Sequence, residues 1–132
     1  NRKYENHILE IGKRLRYVYQ YEKRGFGDAV YRCMDFADNE PVLLLLGDTL
    51  YKSFSNRPCA LQLIEAYERY AKPLIAVHEI PLNMVSYYGI TSGEWVNKER
   101  TVLQISDITE KPSVAHAEEY LGVETPNEPK KY

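Results

Sequence analysis

Pro41-Val42-Leu43-Leu44-Leu45-Leu46-Gly47-Asp48 is the stretch on which the fold turns. Five consecutive apolar residues with no polar alternation read as a strand buried on both faces. Such strands belong to parallel sheets covered by helices. Downstream, Lys52 to Pro58 is rich in Ser, Asn and Pro and reads as a loop. Leu61, Ile64, Tyr67 and Ala71 then fall on one stripe of a helix whose wet side carries Glu65, Glu68 and Arg69. Pro73 closes that helix, and Leu74-Ile75-Ala76-Val77 supplies a further buried strand.

Upstream, Phe26, Ala29, Val30, Cys33, Met34 and Ala37 recur at spacings of three and four, which predicts one helix. Asp28 sits near its start, at the positive end of the helix dipole. Leu15 to Gln20 alternates with β-favouring side chains and reads as a strand, preceded by a short helical pattern at Tyr4, Ile8, Leu9 and Ile11. The order strand, helix, strand, helix, strand between residues 15 and 80 is two successive crossover units, which implies a layered α/β sheet with right-handed crossovers. From Ile90 the pattern changes. Glu94-Trp95-Val96 and Thr101 to Ile105 look like shorter strands of a hairpin, and the polar segment 113–132 reads as loop or short helix.

The bulk numbers exclude several classes. At 132 residues the chain is one domain at most, with a formal net charge of −2 from 17 basic and 19 acidic residues. That balance argues against a nucleic-acid footprint or a polybasic membrane patch. Hydrophobic residues at 44% argue against disorder as the main state. No apolar run approaches the ~20 residues needed to span a bilayer. Cys33 and Cys59 show no metal-type clustering, so a reducing, cytoplasmic setting is expected, with Cys33 a buried free thiol. His7, His78 and His116 have no ligand spacing, and His78 reads as structural.

Chemistry in such folds sits beyond the carboxyl ends of the strands. Gln20 ends one strand and leads to Gly25 and Gly27 at a helix start, where bare backbone admits a planar or anionic ligand. A plain strand–helix turn explains the same glycines. Asp48, directly after the buried strand, suits a hard cation or caps the next turn with Thr49. Glu110-Lys111-Pro112 offers a carboxylate for hydroxyls and a cation for phosphate, or is simply a charged turn.

Taken in order, these segments resemble the nucleoside-triphosphate sugar-1-phosphate nucleotidyltransferases, nearest to the bacterial-type UTP–glucose-1-phosphate uridylyltransferase branch. Gln20, four residues, then Gly25-Phe26-Gly27-Asp28-Ala29 stands for the family's Gln and Gly-Leu-Gly-x-Ala. Leu43 to Asp48 matches its strand ending in Asp, and Ala76 to Pro81 its strand ending in Pro. Tyr88-Gly89-Ile90 and Glu110-Lys111-Pro112 complete the set, so the likeness covers roughly residues 15 to 112.

The resemblance implies a mostly parallel, three-layer α/β/α Rossmann-like sheet. Residues 1–132 would be the central part of one catalytic domain, with the N-terminal strand and triphosphate loop and the C-terminal part outside it. It implies uracil contacts at Gln20 and Gly25, a Mg²⁺ ligand at Asp48, sugar contacts at Gly89 and Glu110, and Lys111 as the catalytic cation on the sugar phosphate. The implied reaction joins UTP and glucose 1-phosphate into UDP-glucose and pyrophosphate, the 132-residue piece alone being inactive. Edges left open in such a piece favour a homo-oligomer. Gly47 before Asp48 and Asp28 in place of a frequent His depart from the pattern. They keep a thymidylyltransferase or other sugar branch in view, although Gly27 favours the uridylyl branch. A scaffold without the active loop keeps a non-catalytic nucleotide-sugar-binding module in view.

Overall fold

A computed structural model describes residues 2–132; the chain divides into two units, Asn1–Thr49 and Leu50–Tyr132. In the first unit, helix α1 runs over Arg2–Gly12 with Glu5 in its first turn, where a negative charge meets the helix dipole favourably. Its end tightens as the Arg14 amide donates to the Ile11 carbonyl at 3.0 Å. The helix expected to run from Phe26 to Ala37 is two pieces, α2 (Phe26–Tyr31) and α3 (Met34–Ala37). The break has a local cause. The Cys33 amide bonds back three residues to Val30, while its thiol approaches the Ala29 carbonyl at 3.8 Å, so the regular four-residue ladder lapses there. Cys33 is accordingly half-buried, not the buried thiol expected.

The second unit opens with the expected loop, which Gln62 ties down by donating to Ser53 Oγ at 3.0 Å and to the Arg57 carbonyl at 2.9 Å. Helix α4 spans Cys59–Tyr70 and stops at Ala71, whose left-handed φ of 49° lets its amide reach the Tyr67 carbonyl. A short 3-10 turn, Leu82–Tyr87, follows Pro81. It delivers the chain into β1 (Gly89–Trp95), which pairs antiparallel with β2 (Leu103–Glu110). Asn97 shapes the connection, its Oδ1 accepting from the amides of Thr101 and Val102 at 3.0 and 3.1 Å. The hairpin reaches further from its turn than expected, back to Gly89 and on to Glu110, while Val96, Thr101 and Val102 lie outside the strands.

Among the described residues β1–β2 is the only sheet. Leu15 to Gln20, Val42 to Leu46 and Leu74 to Val77 join no ladder. Leu44 is 52% exposed and Val77 53%. A continuous apolar run reports a need for cover on both faces, but pairing also requires neighbouring backbone, and the three runs lack it here.

Segment 113–132 departs furthest from a polar tail. Helix α5 (Val114–Tyr120) is capped by Ser113, whose Oγ accepts from the His116 amide at 3.2 Å. Its Ala117, with Leu121, forms the core against Ile80, Val85 and Ile90, and Leu82 and Tyr132 pack on the outside. The chain then folds back, so that Val123 and Lys131 exchange backbone bonds at 2.7 and 3.0 Å and the Ile80 amide donates to the Tyr132 carbonyl at 2.8 Å. Gly122 makes that return feasible. Its φ is 86°, and a Cβ there would lie 2.6 Å from the Lys131 carbonyl oxygen.

Replacing Leu121, which is fully buried, by Ala is expected to cost roughly 2–5 kcal/mol of unfolding free energy. Leu50→Ala, at a side chain 97% exposed, should change it by less than about 0.5 kcal/mol. Urea unfolding followed through Trp95 fluorescence measures both. Glu128 gives an acid-side check. Its ion pair with Arg100 holds its carboxyl below the ordinary 4.5, with Lys131 adding a smaller pull. Stability from a carboxyl lowered on folding is complete above the unfolded value and lost as pH falls through the folded one. Thermal melts between pH 5 and pH 2 should therefore show a steeper acid loss for the native chain than for Glu128→Gln.

Candidate nucleotide and sugar sites

The two units each bring part of the expected set together. In the second, strand register does the work. Gly89 and Glu110 are direct cross-strand partners, and the Lys111 amide donates to the Tyr88 carbonyl at 3.0 Å. Tyr88-Gly89 and Glu110-Lys111 therefore lie side by side although twenty residues separate them in sequence. The bare face of Gly89 is covered by the Glu110 carboxylate, since a Cβ built there would sit 3.1 Å from Oε2. Lys111 Nζ lies 3.7 Å from Glu110 Oε1, and both side chains are solvent-exposed. An acceptor and a cation this close suit a ligand that carries hydroxyls beside a phosphate.

Two backbone features present Lys111. Its φ is 47°, in the left-handed region that favours glycine. Pro112 beside it is buried, which anchors the turn while the lysine stays in water. The register itself is pinned by a bulge between Ser92 and Gly93. A Cβ at Gly93 would come within 2.1 Å of the Gln104 carbonyl oxygen, so only glycine fits there. His78 stands edge-on to the Tyr88 ring at 6.2 Å between centroids and is itself solvent-exposed.

In the first unit, Gln20 and Gly25 meet. Gln20 Nε2 donates to the Gly25 carbonyl at 3.0 Å and to Asp28 Oδ2 at 2.6 Å. Arg32 Nε donates to the same Asp28 oxygen at 3.0 Å from one helical turn on. These contacts, Gln20 first and Arg32 second, hold the Asp28 carboxyl below its ordinary range. Gly25 has φ 99° and ψ 177°, a conformation that side-chain-bearing residues rarely adopt. Asp28 was legible in the sequence only as a helix-start carboxylate. Its part in fixing Gln20 is new, and the signal for it is the Asp-x-x-x-Arg pair on the helix that faces back to the glutamine.

Asp48 lies in a tight turn after the apolar run, where the Thr49 hydroxyl donates to its Oδ1 at 3.3 Å. That contact joins two neighbouring side chains, and among the described residues Asp48 makes no other side-chain hydrogen bond. Among the described residues no three His, Cys, Asp or Glu side chains gather as a metal cluster. A single carboxylate oxygen remains chemically suited to Mg²⁺, which typically takes one or two carboxylates and fills its shell with phosphate and water.

The family profile for nucleotidyl transferases matches residues 2–124. The chain belongs to the nucleotidyl transferase family. Among the relatives of this nucleotidyl transferase, a UTP–glucose-1-phosphate uridylyltransferase of Mycoplasma pneumoniae is 34% identical over 107 residues, covering 81% of this chain and 36% of the relative. The UTP–glucose-1-phosphate uridylyltransferase 2 of Staphylococcus saprophyticus is 35% identical over 107 residues, covering 81% and 36%. The uridylyltransferase of Streptococcus pneumoniae is 33% identical over 112 residues, covering 83% and 37%. The nucleotidyl transferase chain thus spans about 36% of the length of the curated relatives it matches. No solved structure matches it. Among its described residues no helix is long and apolar enough to cross a membrane.

The two glycines at the start of α2 separate geometry from mere smallness. Gly25→Ala should destabilise the Gln20–Asp28 corner by roughly 1–3 kcal/mol, the range for a side chain forced into a sparsely populated backbone region. Gly27→Ala, inside the helix with nothing within 4 Å of the added carbon, should be neutral or stabilising by up to about 1 kcal/mol. Amide hydrogen exchange across residues 26–31 in the two variants reads the difference.

Proposed function

We propose that this chain carries the base-recognition and sugar-recognition elements of a UTP–glucose-1-phosphate uridylyltransferase, an enzyme that makes UDP-glucose and pyrophosphate. The observation that carries the proposal is the antiparallel register that sets Gly89 against Glu110 and turns Lys111 out beside them. It joins the three residues that the family resemblance marks for glucose 1-phosphate, and the relatives' names supply the substrate class.

In the proposed reaction a phosphate oxygen of glucose 1-phosphate attacks the α-phosphorus of UTP in line. A new P–O bond forms and pyrophosphate leaves. Lys111 holds the sugar phosphate and neutralises its charge as it approaches the triphosphate. Glu110 accepts hydrogen bonds from sugar hydroxyls, and Gly89 leaves room for the ring. Gln20 and Gly25 hold the uracil. Asp48 would hold a Mg²⁺ ion, whose charge offsets that of the triphosphate when bound.

The exposed runs at 15–20, 42–46 and 74–77 are the natural strands of the mostly parallel, three-layer sheet proposed for the whole domain. Paired with further chain, or with a second copy in a homo-oligomer, they would gain the cover they lack here. Isolated from the rest of the domain, the 132-residue chain is proposed to bind ligands without turning them over. A cytoplasmic location accords with an enzyme of soluble sugar nucleotides. A thymidylyltransferase specificity is the second reading, favoured by Gly47 before Asp48 where many uridylyltransferases carry proline.

Titration with UDP-glucose, dTTP and glucose 1-phosphate in the presence of Mg²⁺, followed through Trp95 fluorescence or thermal shift, tests the proposal. UDP-glucose should bind and dTTP should not; the reverse would favour the thymidylyl reading. Lys111→Ala should weaken glucose 1-phosphate binding by about 10–100-fold, the worth of one charge-assisted contact of roughly 1.5–3 kcal/mol. Lys111→Arg should recover part of it. Unchanged affinity in Lys111→Ala would remove this lysine from the site.

A further inference from the structure

Gln20 is the one residue of the proposed base site whose side chain is held by others, and the manner of holding carries chemical information. Both partners of its Nε2, the Gly25 carbonyl at 3.0 Å and Asp28 Oδ2 at 2.6 Å, can only accept hydrogen bonds. A carboxamide turned by 180° would place its oxygen against two acceptors, which repel it. An exposed glutamine otherwise presents its donor or its acceptor to a ligand at almost equal cost. Here the nitrogen is committed, and no described residue donates to the oxygen, Oε1.

Ionised, Asp28 can only accept, and that makes the bias strongest. Arg32, one helical turn on, donates to the same oxygen at 3.0 Å, and the two side chains are only 20% and 33% exposed. The lowered carboxyl range of Asp28 accords with this arrangement. Gly25 contributes its carbonyl only because φ 99° turns the backbone that way. The lock thus has three parts, a turned carbonyl, a charged carboxylate and the arginine that retains the charge.

We propose that Asp28 is a positioning residue that fixes the Gln20 carboxamide with only Oε1 left to meet a ligand, so that the site selects a pyrimidine whose ring edge carries an N–H. Uracil offers such a donor at its imide nitrogen. Cytosine has a bare, accepting nitrogen at the same ring position, which Oε1 repels. The selection rests on Gln20 being a base contact, as proposed above, while the lock itself is a property of this chain alone.

Two measurements on the 132-residue chain test it. The first is the side-chain amide spectrum of Gln20 in ¹⁵N-labelled protein. The native chain should show two well-separated, slowly exchanging hydrogens, and Asp28→Ala and Asp28→Asn should shift them toward the values of a free glutamine. The second is titration with UTP and with CTP in the presence of Mg²⁺. The native chain should prefer UTP by about tenfold or more, the worth of a single well-placed base contact. In both variants the ratio should fall to roughly twofold, with the α2 backbone signals unchanged. An unchanged ratio with binding retained would overturn the role of Asp28 and leave the base site standing. A Gln20 amide indifferent to Asp28 would overturn the lock. Binding of neither nucleotide by the native chain would overturn the base site itself, and the selection with it.

Discussion

The hydrogen-bonded register between β1 and β2 is the constraint on which the second unit depends. Strand side chains alternate faces with a period of two, so a slip of one residue would carry Glu110 away from Gly89 and reverse every neighbour with it. The bulge at Ser92 and Gly93 makes such a slip costly, because only glycine fits against the Gln104 carbonyl. The same hairpin receives the return of the chain at its other end. Gly122 donates to the Thr91 carbonyl at 3.0 Å, and Trp95 donates to Thr125 at 3.2 Å. The grouping of Gly89, Glu110 and Lys111 and the return of the chain onto the hairpin are therefore set by one backbone alignment.

The first unit works on a different principle. Among the described residues it buries no large apolar side chain completely. Its candidate site is organised by polar contacts, with Gln20, Asp28 and Arg32 forming a short chain of bonds across the start of α2. Such networks fix orientation at modest net energy, because each bond replaces one made to water. The Gly89–Glu110–Lys111 group takes its shape from a ladder, and the Gln20–Gly25 corner from three side chains and one turned carbonyl.

What the sequence disclosed follows the reach of each signal. Helix α4 and the hairpin were legible because their patterns are local: an apolar stripe closed near Pro73, and β-favouring runs around Trp95 and Leu103. The grouping of Gly89, Glu110 and Lys111 was legible only through family likeness, since nothing local links residues twenty positions apart. The apolar run at Val42 to Leu46 disclosed a demand for burial but not the partner that would meet it. Segment 113–132 was legible as to its short helix but not as to its burial: Ala117, Leu121 and Val123 are diluted by charge, yet all three are buried. Asp28 read correctly as a helix-start carboxylate, and that sufficient local explanation hid its contact with Gln20.

Lys111 stands in a backbone conformation that costs a side-chain-bearing residue roughly 1–2 kcal/mol and costs glycine almost nothing. Folding alone would reward a glycine or asparagine at that position. The lysine instead keeps its charge on a tight corner between a strand and a buried proline, where a longer or looser turn would let it wander. Under the role proposed for Lys111, durability and ligand grip pull this turn in opposite directions. A search for a hardier version of the chain would arrive early at this position.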